Sequence, residues 1–436
     1  MDEFTSIIEA HYPITFREEE SQVLGKHLRA RHSVALVGMK RVGISNFLRF
    51  FLYHKNTGKK YINDGGKHLF ITVDLNDLVE RELYPFWILT LKRIVDATEK
   101  STLSAKDKKR IESLFLGCIQ SQDLFFAIDS VRRALGIIVR NDVLPTIFFI
   151  RFDRIKEAAS VEFFSNLEGL REAMHQRLSY VFTSFRSLNE LAPSVFTKTS
   201  LPSFSQNMYI IPTKAQDTEI IYKVHKDKYK LNLSKDTEKS LLQLVDGYVQ
   251  YLQLAVIILS EKEKTPKDKK ELLDLLLADE RISLQSEELW ESLAVAEKAI
   301  LLKFIRGEKL TTQDREGGSY LFETGLLTKS ENNIEVFSPL FRRFLEEEEQ
   351  KSVKNNHLVD FTKKEHTLFA FLQKNINEIC EREKIIEKVW SEEEAFGVTD
   401  WAIDRLVARV RNKLELQKSD YEIQTVKTRG YKLIKT

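Results

Sequence analysis

The chain has 436 residues, of which 42% are hydrophobic and 30% are charged, and its formal net charge is +2. This length exceeds one ordinary hydrophobic core, so we expect three or four folding units. No run approaches the roughly 18 apolar residues of a membrane span, and the acidic N-terminus is unlike a secretory signal, so we expect a cytoplasmic protein. The nine histidines and two cysteines lack metal-ligand spacing, which argues against a zinc site or a disulfide framework.

Between about residues 17 and 202, short apolar runs alternate with segments of helical length. The runs "SVALVG", "LFITVDL", "TIFFIRF" and "LSYVFTSF" are rich in β-branched and aromatic residues and are short enough for buried strands. This alternation predicts a parallel sheet with helices on its faces.

The first of these strands leads into "GMKRVGISN", which has the glycine spacing of a phosphate-binding loop. In such a loop, backbone N–H groups surround the phosphates, a lysine neutralises them and a hydroxyl holds Mg²⁺. The two glycines and the serine are present, but Ile44 occupies the lysine position. Two interpretations stay open: Lys40 or Arg41 reaches back to a phosphate, or both are solvated loop residues.

The run "TIFFIRFDRIKEA" lies where a nucleotide hydrolase carries the carboxylates that hold Mg²⁺ and activate water. In one register, Asp153 is the magnesium ligand and Arg154 follows it in place of the activating glutamate. In the other register, the two acids have become Ile150 and Arg151, and Asp153 is a structural remnant. Because both registers lack the water-activating carboxylate, we do not expect hydrolysis.

Taken in order, segments of residues 16–345 resemble the STAND signalling ATPases, relatives of the AAA+ and origin-recognition families. "FREEESQVLGKHL" resembles the opening before the loop, and "DGYVQYLQLA" resembles the lid motif with Val249 replacing its proline. The segments "LWESLAVAEKAILLKFIRG" and "VFSPLFRRFL" are similar to the winged helix that follows the lid. The resemblance implies ATP or ADP with Mg²⁺ as cofactor and a γ-phosphate sensor at Arg186, whose alternative is a surface arginine after a strand. The candidate nucleotide-binding residues are Gly38, Lys40, Arg41, Gly43, Ser45, Asn46, Asp153 and Arg186.

Residues 401–436 contain nine basic and four acidic side chains, a net charge of +5. The segment "TDWAIDRLVARVRNKLEL" has helical periodicity, and its apolar stripe comprises Ile403, Val407, Val410 and Leu414. Opposite this stripe lie Arg405, Arg409 and Asn412. An outward Arg and Asn face fits the DNA major groove, although a solvated helix face is the alternative. Two amphipathic helices upstream and a hairpin with a basic tip downstream favour the DNA interpretation, since together they predict a winged helix.

About residues 358–434 resemble the effector domain of OmpR/PhoB-type response regulators. The segments that carry the resemblance are "FTKKEHTLFAFL", "REKIIEKVW", "AIDRLVARVRNKL" and "IQTVKTRGYKL". Two departures are the wing, which reads Val426-Lys427-Thr428-Arg429-Gly430-Tyr431 and so loses a glycine and gains a base, and Leu406 at a position typically occupied by histidine. The resemblance implies double-stranded DNA as partner and pairing of two copies on direct repeats. The candidate DNA-binding residues are Thr399, Trp401, Arg405, Ala408, Arg409, Arg411, Asn412, Lys413, Lys427, Thr428 and Arg429.

The predicted fold is an α/β P-loop NTPase-like parallel-sheet domain followed by a helical lid, a first winged helix and a C-terminal OmpR-type winged helix. The predicted domains are 1–210, 211–278, 279–346, a linker 347–356, and 357–436. We expect a sequence-specific transcriptional regulator whose body senses an unidentified ligand or protein, without nucleotide hydrolysis. The alternatives are an active ATPase with an unconventional lysine coupled to DNA binding, and a defence-type sensor or scaffold.

Overall fold

The computed structural model describes residues 7–196, 204–262, 264–330, 333–354, 361–390, 400–416, 419–426 and 429–435. The chain divides into two compact units. Unit 1 comprises residues 1–228, 246–250 and 320–335, and unit 2 comprises residues 229–245, 251–319 and 336–436. Within the described ranges, no helix is long and apolar enough to cross a bilayer.

The regular elements follow in chain order. The helices are α1 (Glu18–Arg29), α2 (Ile44–Tyr53), α3 (Leu83–Glu99), α4 (Ala105–Ser121), α5 (Leu124–Arg140), α6 (Val161–Ala173), α7 (Leu188–Leu191), α8 (Pro193–Phe196), α9 (Ala215–Lys228), α10 (Lys235–Val245), α11 (Val249–Ser260), α12 (Lys269–Ala278), α13 (Glu280–Glu291), α14 (Val295–Ile305), α15 (Thr312–Gly317), α16 (Ser319–Glu323), α17 (Pro339–Lys354), α18 (Lys363–Lys374), α19 (Arg382–Val389) and α20 (Asp400–Leu416). The strands are β1 (Val34–Val37), β2 (Lys67–Asp74), β3 (Val143–Ile150), β4 (Ser179–Ser184), β5 (Gln206–Tyr209), β6 (Leu327–Ser330), β7 (Asn333–Val336), β8 (Cys380–Glu381), β9 (Tyr421–Val426) and β10 (Gly430–Lys435).

Unit 1 is built on a five-stranded parallel sheet with the strand order β2-β3-β4-β1-β5. The four apolar runs of the sequence form β1 to β4, and β1 and β4 are buried along their whole length. The sheet therefore confirms the predicted α/β body. Since all strands are parallel, their carboxyl ends lie along one edge, which is where open α/β sheets bind ligands.

Aromatic rings hold the ends of β3 and β4 together. The ring of Phe149 stacks on that of Phe182 with centroids 5.6 Å apart, and Phe152 meets Phe182 edge-on at 4.8 Å. Each ring pair adds about 0.5–1.5 kcal/mol beyond its buried area. Because Phe152 follows β3 directly, this cluster fixes the backbone next to Asp153.

The C-terminal part of unit 2 is a winged helix. Helices α18, α19 and α20 pack around one apolar cluster, and the antiparallel strands β8, β10 and β9 close it. The cluster includes Leu368, Ile385, Val407 and Leu433, none of which has exposed surface. This arrangement confirms the predicted fold of the C-terminal domain.

The predicted linker 347–356 is largely helical, because α17 continues to Lys354. Residues 355 and 356 lie outside the described residues. Ion pairs along the helix, such as Arg342–Glu346 at 3.2 Å and Lys351–Glu348 at 2.7 Å, stabilise its charged surface. Glutamate, glutamine and lysine form helices readily, so the lack of an apolar period removes a packing face but not the helix. The predicted domain boundaries, including this linker, stay predictions.

Candidate functional site

The phosphate-type loop lies between β1 and α2, at the carboxyl edge of the parallel sheet. Its second glycine, Gly43, has a φ of 110°, a backbone conformation that favours glycine. The Gly38 N–H donates to the Ser184 carbonyl at 3.3 Å, and the Val42 N–H donates to the Met39 carbonyl at 3.2 Å. The loop is thus a tight turn that is tied to the neighbouring strand β4.

Apolar side chains pack against both glycines of the loop. A Cβ atom built on Gly38 would lie 2.9 Å from Val42 Cγ1 and 3.3 Å from Ile44 Cδ1, and one on Gly43 would lie 2.7 Å from Val249 Cγ2. The side chain of Ile44 therefore lies back over Gly38. In a working phosphate loop the lysine from this position reaches the phosphates, and an isoleucine supplies no charge there.

Lys40 and Asn46 make contacts with residues outside the loop. Lys40 Nζ lies 5.3 Å from the centre of the Phe185 ring, and the Lys40 carbonyl accepts a hydrogen bond from the Tyr248 hydroxyl at 2.6 Å. Arg41 is exposed and Ser45 is half-buried. Asn46 is buried, and its Nδ2 donates to Glu9 Oε1 at 2.9 Å. The Lys40 ammonium therefore lies beside the ring of Phe185, which follows β4 directly.

Arg151 brings a positive charge to the end of β3, two residues before the candidate acid Asp153. Arg151 follows β3, forms an ion pair with Asp74 at the end of β2, and donates its N–H to Thr183 Oγ1 at 2.8 Å. Burial raises the pKa of the Asp153 carboxyl, an effect that the nearby Lys40 ammonium partly offsets. Asp153 is thus the candidate acid that the structure brings close to the loop lysine.

Arg186, the predicted sensor, is held beside the end of β4. Its guanidinium lies 3.7 Å from the centre of the Tyr320 ring, and its Nη1 lies 3.3 Å from Glu190 Oε1. Stacking and ion pairing of this kind hold an arginine in one orientation. A sensing role for Arg186 stays a prediction.

These residues do not fit a hydrolytic Mg²⁺–nucleotide site. Ile44 stands at the lysine position, Arg151 follows β3 directly and pairs with Asp74, and Asp153 is a partly buried carboxyl whose pKa is raised. Within the described part of the chain, no group of three or more His, Cys, Asp or Glu side chains could hold a metal ion. A hydrolytic site needs a charge that neutralises the phosphates and a carboxylate that activates water, and among the described residues Ile44 and Arg151 supply neither group.

We expect Gly43→Ala to destabilise the body by about 1–3 kcal/mol, because the new Cβ combines an unfavourable φ with a collision against Val249. Thermal unfolding of the full chain, with hydrogen exchange localised to α2, measures this change. The matched control is Gly169→Ala in α6, where a Cβ meets nothing within 4 Å. That control should be neutral or stabilising by up to about 1 kcal/mol, and equal behaviour of the two variants would contradict the loop geometry.

The second candidate site is α20, whose apolar stripe is buried as predicted. Ile403, Val407 and Val410 have no exposed surface, and Leu414 is 4% exposed. Leu406 is also buried, so the leucine at the family's histidine position belongs to the core. One face of α20 is thus fixed, and the polar side chains of the helix lie away from that core.

Three of the basic side chains of α20 make contacts inside the C-terminal domain. Arg411 Nε donates to the Ile423 carbonyl of β9 at 2.7 Å, and Lys413 Nζ donates to Glu365 Oε2 at 2.6 Å. Arg409 Nε lies 3.5 Å from Glu365 Oε1. Burial opposes ionisation of the Glu365 carboxyl, yet hydrogen bonds from Lys413 and the Thr362 amide hold its pKa below the usual value. These contacts orient α20 on α18 and on the hairpin.

Arg405 and Arg409 also contact a helix outside the C-terminal domain. Arg405 Nε lies 2.9 Å from Glu287 Oε1 on α13, and Arg405 Nη2 lies 3.0 Å from Glu291 Oε1. Arg409 Nη1 lies 3.0 Å from Glu287 Oε2. No local sequence pattern indicates this pairing, because the partners are more than 110 residues apart.

The structure describes some of the other candidate DNA-binding residues and leaves three of them out. Asn412 and Arg429 are exposed, and Ala408 is half-buried. The backbone of Trp401 lies in α20. Outside the described residues lie Thr399, Lys427 and Thr428.

Comparison with known proteins identifies the C-terminal domain. Residues 355–433 match the family described as "Transcriptional regulatory protein, C terminal". The response regulator ArlR of Staphylococcus haemolyticus (strain JCSC1435) is 35% identical over 77 residues, which are 18% of this chain and 34% of that protein. The chain thus spans about a third of the length of this relative, and the C-terminal domain is of the transcriptional-regulator type.

Three solved structures similar to the chain have low sequence identity to it. The Walker-type ATPase of Pyrococcus abyssi is 18% identical with a TM-score of 0.45, and the match covers 76% of this chain and 95% of that one. The ORC2 protein of Aeropyrum pernix is 12% identical with a TM-score of 0.44, covering 78% and 95% respectively. The ORC1 protein of Aeropyrum pernix, solved in complex with DNA, is 13% identical with a TM-score of 0.40, covering 76% and 92%.

Proposed function

We propose that the chain is a cytoplasmic, sequence-specific DNA-binding transcriptional regulator whose body senses a ligand or partner and does not hydrolyse nucleotide. The observation that carries the proposal is the arrangement of α20. Its apolar stripe is locked into the winged-helix core, while Arg405, Arg409 and Asn412 lie away from that core. A helix held in this way presents long hydrogen-bond donors at a fixed angle, which is what recognition in a major groove requires.

The side chains of α20 and the wing take different parts in this recognition. Arg405 and Asn412 read bases, since arginine forks onto guanine and asparagine onto adenine. Arg429, exposed in the turn before β10, contacts phosphate or the minor groove. Arg411 and Lys413 act through their contacts with β9 and Glu365 by holding the helix in position. Two copies bind neighbouring half-sites on direct repeats.

In this proposal the body is a switch without hydrolysis. A ligand or partner that binds one conformation of the body more tightly shifts the population of conformations, and the shift changes how the C-terminal domain is presented. The loop between β1 and α2 serves as a strand-to-helix turn. A nucleotide held there would be a static ligand that contacts backbone N–H groups and Lys40.

We expect the full chain to show no ATP turnover above background with Mg²⁺ present, measured by release of labelled phosphate. Ile44→Lys, which restores the family's lysine, should leave the rate at background, because the water-activating carboxylate is still missing and Arg151 remains. Turnover by the wild-type chain that is abolished by Lys40→Ala would contradict the proposal and favour an unconventional ATPase.

A salt titration on duplex DNA tests the proposed function as a whole. Affinity of the full chain should fall linearly with the logarithm of salt concentration, with a slope of about −0.9 per phosphate neutralised. An affinity that ignores salt and survives replacement of both Arg405 and Arg409 by alanine would overturn the proposal. The C-terminal domain would then be a protein-contact module.

A further inference from the structure

Two glutamates of α13 form ion pairs with two arginines of α20, the helix proposed to recognise DNA. The Glu287 carboxylate lies between Arg405 and Arg409. Its Oε1 lies 2.9 Å from Arg405 Nε, and its Oε2 lies 3.0 Å from Arg409 Nη1. Glu291, one turn further along α13, holds the second branch of the Arg405 guanidinium at 3.0 Å. A further ion pair joins Glu280 of α13 to Lys364 of α18, another helix of the C-terminal domain. Four acid–base contacts thus connect α13 with the C-terminal domain.

The geometry imitates a nucleic-acid contact. A guanidinium recognises phosphate or the guanine edge through paired N–H donors, and a carboxylate accepts the same fork. The Glu287 side chain is 13% exposed and Arg405 is 26% exposed, so the pair is partly shielded from water. Partial burial strengthens such a pair relative to an exposed surface ion pair.

DNA and α13 cannot hold Arg405 at the same time. The Nε and Nη2 donors already engage two glutamates, so the fork that would bind a guanine is in use. A helix is about 10–12 Å across with its side chains, close to the roughly 12 Å width of the major groove. A helix against this face of α20 therefore takes the space that the walls of the groove need.

Helix α13 is anchored in the helical part of unit 2. Its residues Ile282 and Leu289 are buried, and the Ser286 hydroxyl lies 2.6 Å from the Tyr251 hydroxyl of α11. Arg281 at its start forms an ion pair with Glu261 at 2.6 Å. Since α13 is fixed to these helices, freeing Arg405 requires the C-terminal domain to separate from them. The contact therefore couples DNA binding to the conformation of the chain.

We propose that Glu287 and Glu291 form an autoinhibitory clamp that competes with DNA for Arg405 and Arg409. This inference rests on the proposed DNA-binding function and names the regulation of the same site. The clamp holds the recognition helix in the closed chain, and a signal that parts α13 from α20 exposes it. DNA in excess acts in the same direction by binding the open form alone.

The test compares DNA affinity of the full-length wild type with that of the Glu287→Gln, Glu291→Gln double variant. Glutamine keeps the shape of glutamate but removes the charge, so the helix remains folded while the clamp weakens. A matched control is Asp274→Asn with Glu316→Gln, which removes the same charge from two exposed acids outside α13. Binding is measured by fluorescence anisotropy with a random-sequence duplex pool at fixed salt. Hydrogen exchange of α20 is followed in parallel.

We expect the double variant to bind DNA about tenfold or more tightly than the wild type, with faster exchange in α20, while the control pair matches the wild type. Equal DNA binding by wild type and double variant overturns the clamp and leaves the proposed function standing. Equal tightening by the control pair also overturns it, since the effect would then be one of net charge. Failure of every variant to bind DNA overturns the proposed function and the clamp with it.

Discussion

Arg405→Ala is expected to weaken binding to a specific DNA site by about tenfold to hundredfold, the loss of one bidentate base contact of about 1–3 kcal/mol. The change is made in the Glu287→Gln, Glu291→Gln background, because in the wild type it would also remove a clamp contact. Affinity for a DNA site obtained by selection from random duplexes is measured by fluorescence anisotropy at fixed salt.

The control for this prediction is Lys374→Ala, which removes one exposed positive charge from the last turn of α18. It should change affinity by much less than Arg405→Ala. Arg405→Lys should keep the charge but lose the fork, so it should preserve the salt slope and lose discrimination at one base pair. Equal losses for Arg405→Ala and Lys374→Ala would contradict a base-reading role.

Val407→Asp is expected to unfold the C-terminal domain, at a cost of more than about 4 kcal/mol. Val407 has no exposed surface and packs in the winged-helix core, where a carboxylate finds no compensating charge. Hydrogen exchange of the full chain should show loss of protection across α18 to α20 and little change in the parallel sheet of unit 1.

Asn412→Asp introduces the same acid at an exposed position of the same helix and serves as the control. It should leave protection of the C-terminal domain unchanged. Retained protection in Val407→Asp would mean that the apolar stripe of α20 does not hold the domain together. Protection lost equally in both variants would instead point to charge on α20 and not to its core.

The parts of the fold that were predictable from sequence are those with a simple period. The runs forming β1 to β4 are continuous apolar segments, because both faces of a parallel sheet are covered. The stripe of α20 follows the helical period over about three turns, from Ile403 to Leu414. Strand β5 was missed because its sequence, "QNMY", is mostly polar, and it lies at the edge of the sheet beside β1. Short edge strands carry little apolar signal.

The sequence predicts which residues belong to the candidate sites, but it does not predict which distant residues contact them. The missing lysine at Ile44 is visible in the sequence, but the contact of Val249 with Gly43 comes from a residue about 200 positions away. Likewise the outward face of α20 follows from periodicity, whereas the pairing of Arg405 with Glu287 spans 118 residues. Periodicity shows which face of a helix is polar. Periodicity does not show which other polar surface that face contacts.

The assignment of roles within α20 also needed the structure. Arg405, Arg409, Arg411 and Lys413 are alike in sequence, and all four were candidates for DNA contact. The structure joins Arg411 to β9 and Lys413 to Glu365, while Arg405 is held by two acids of another helix. Contacts with the domain's own backbone and core position the helix, and the contact with a separate helix is the one that we propose DNA displaces.

Selection of binding sites from random duplex DNA by the full-length chain tests the central claim most directly. It is carried out with the wild type and the Glu287→Gln, Glu291→Gln variant, each with and without Arg405→Ala. The account predicts one enriched motif that contains a position where guanine is required, and a loss of that requirement when Arg405 is replaced. Absence of an enriched motif in both parent proteins, or the same motif with and without Arg405, would contradict it.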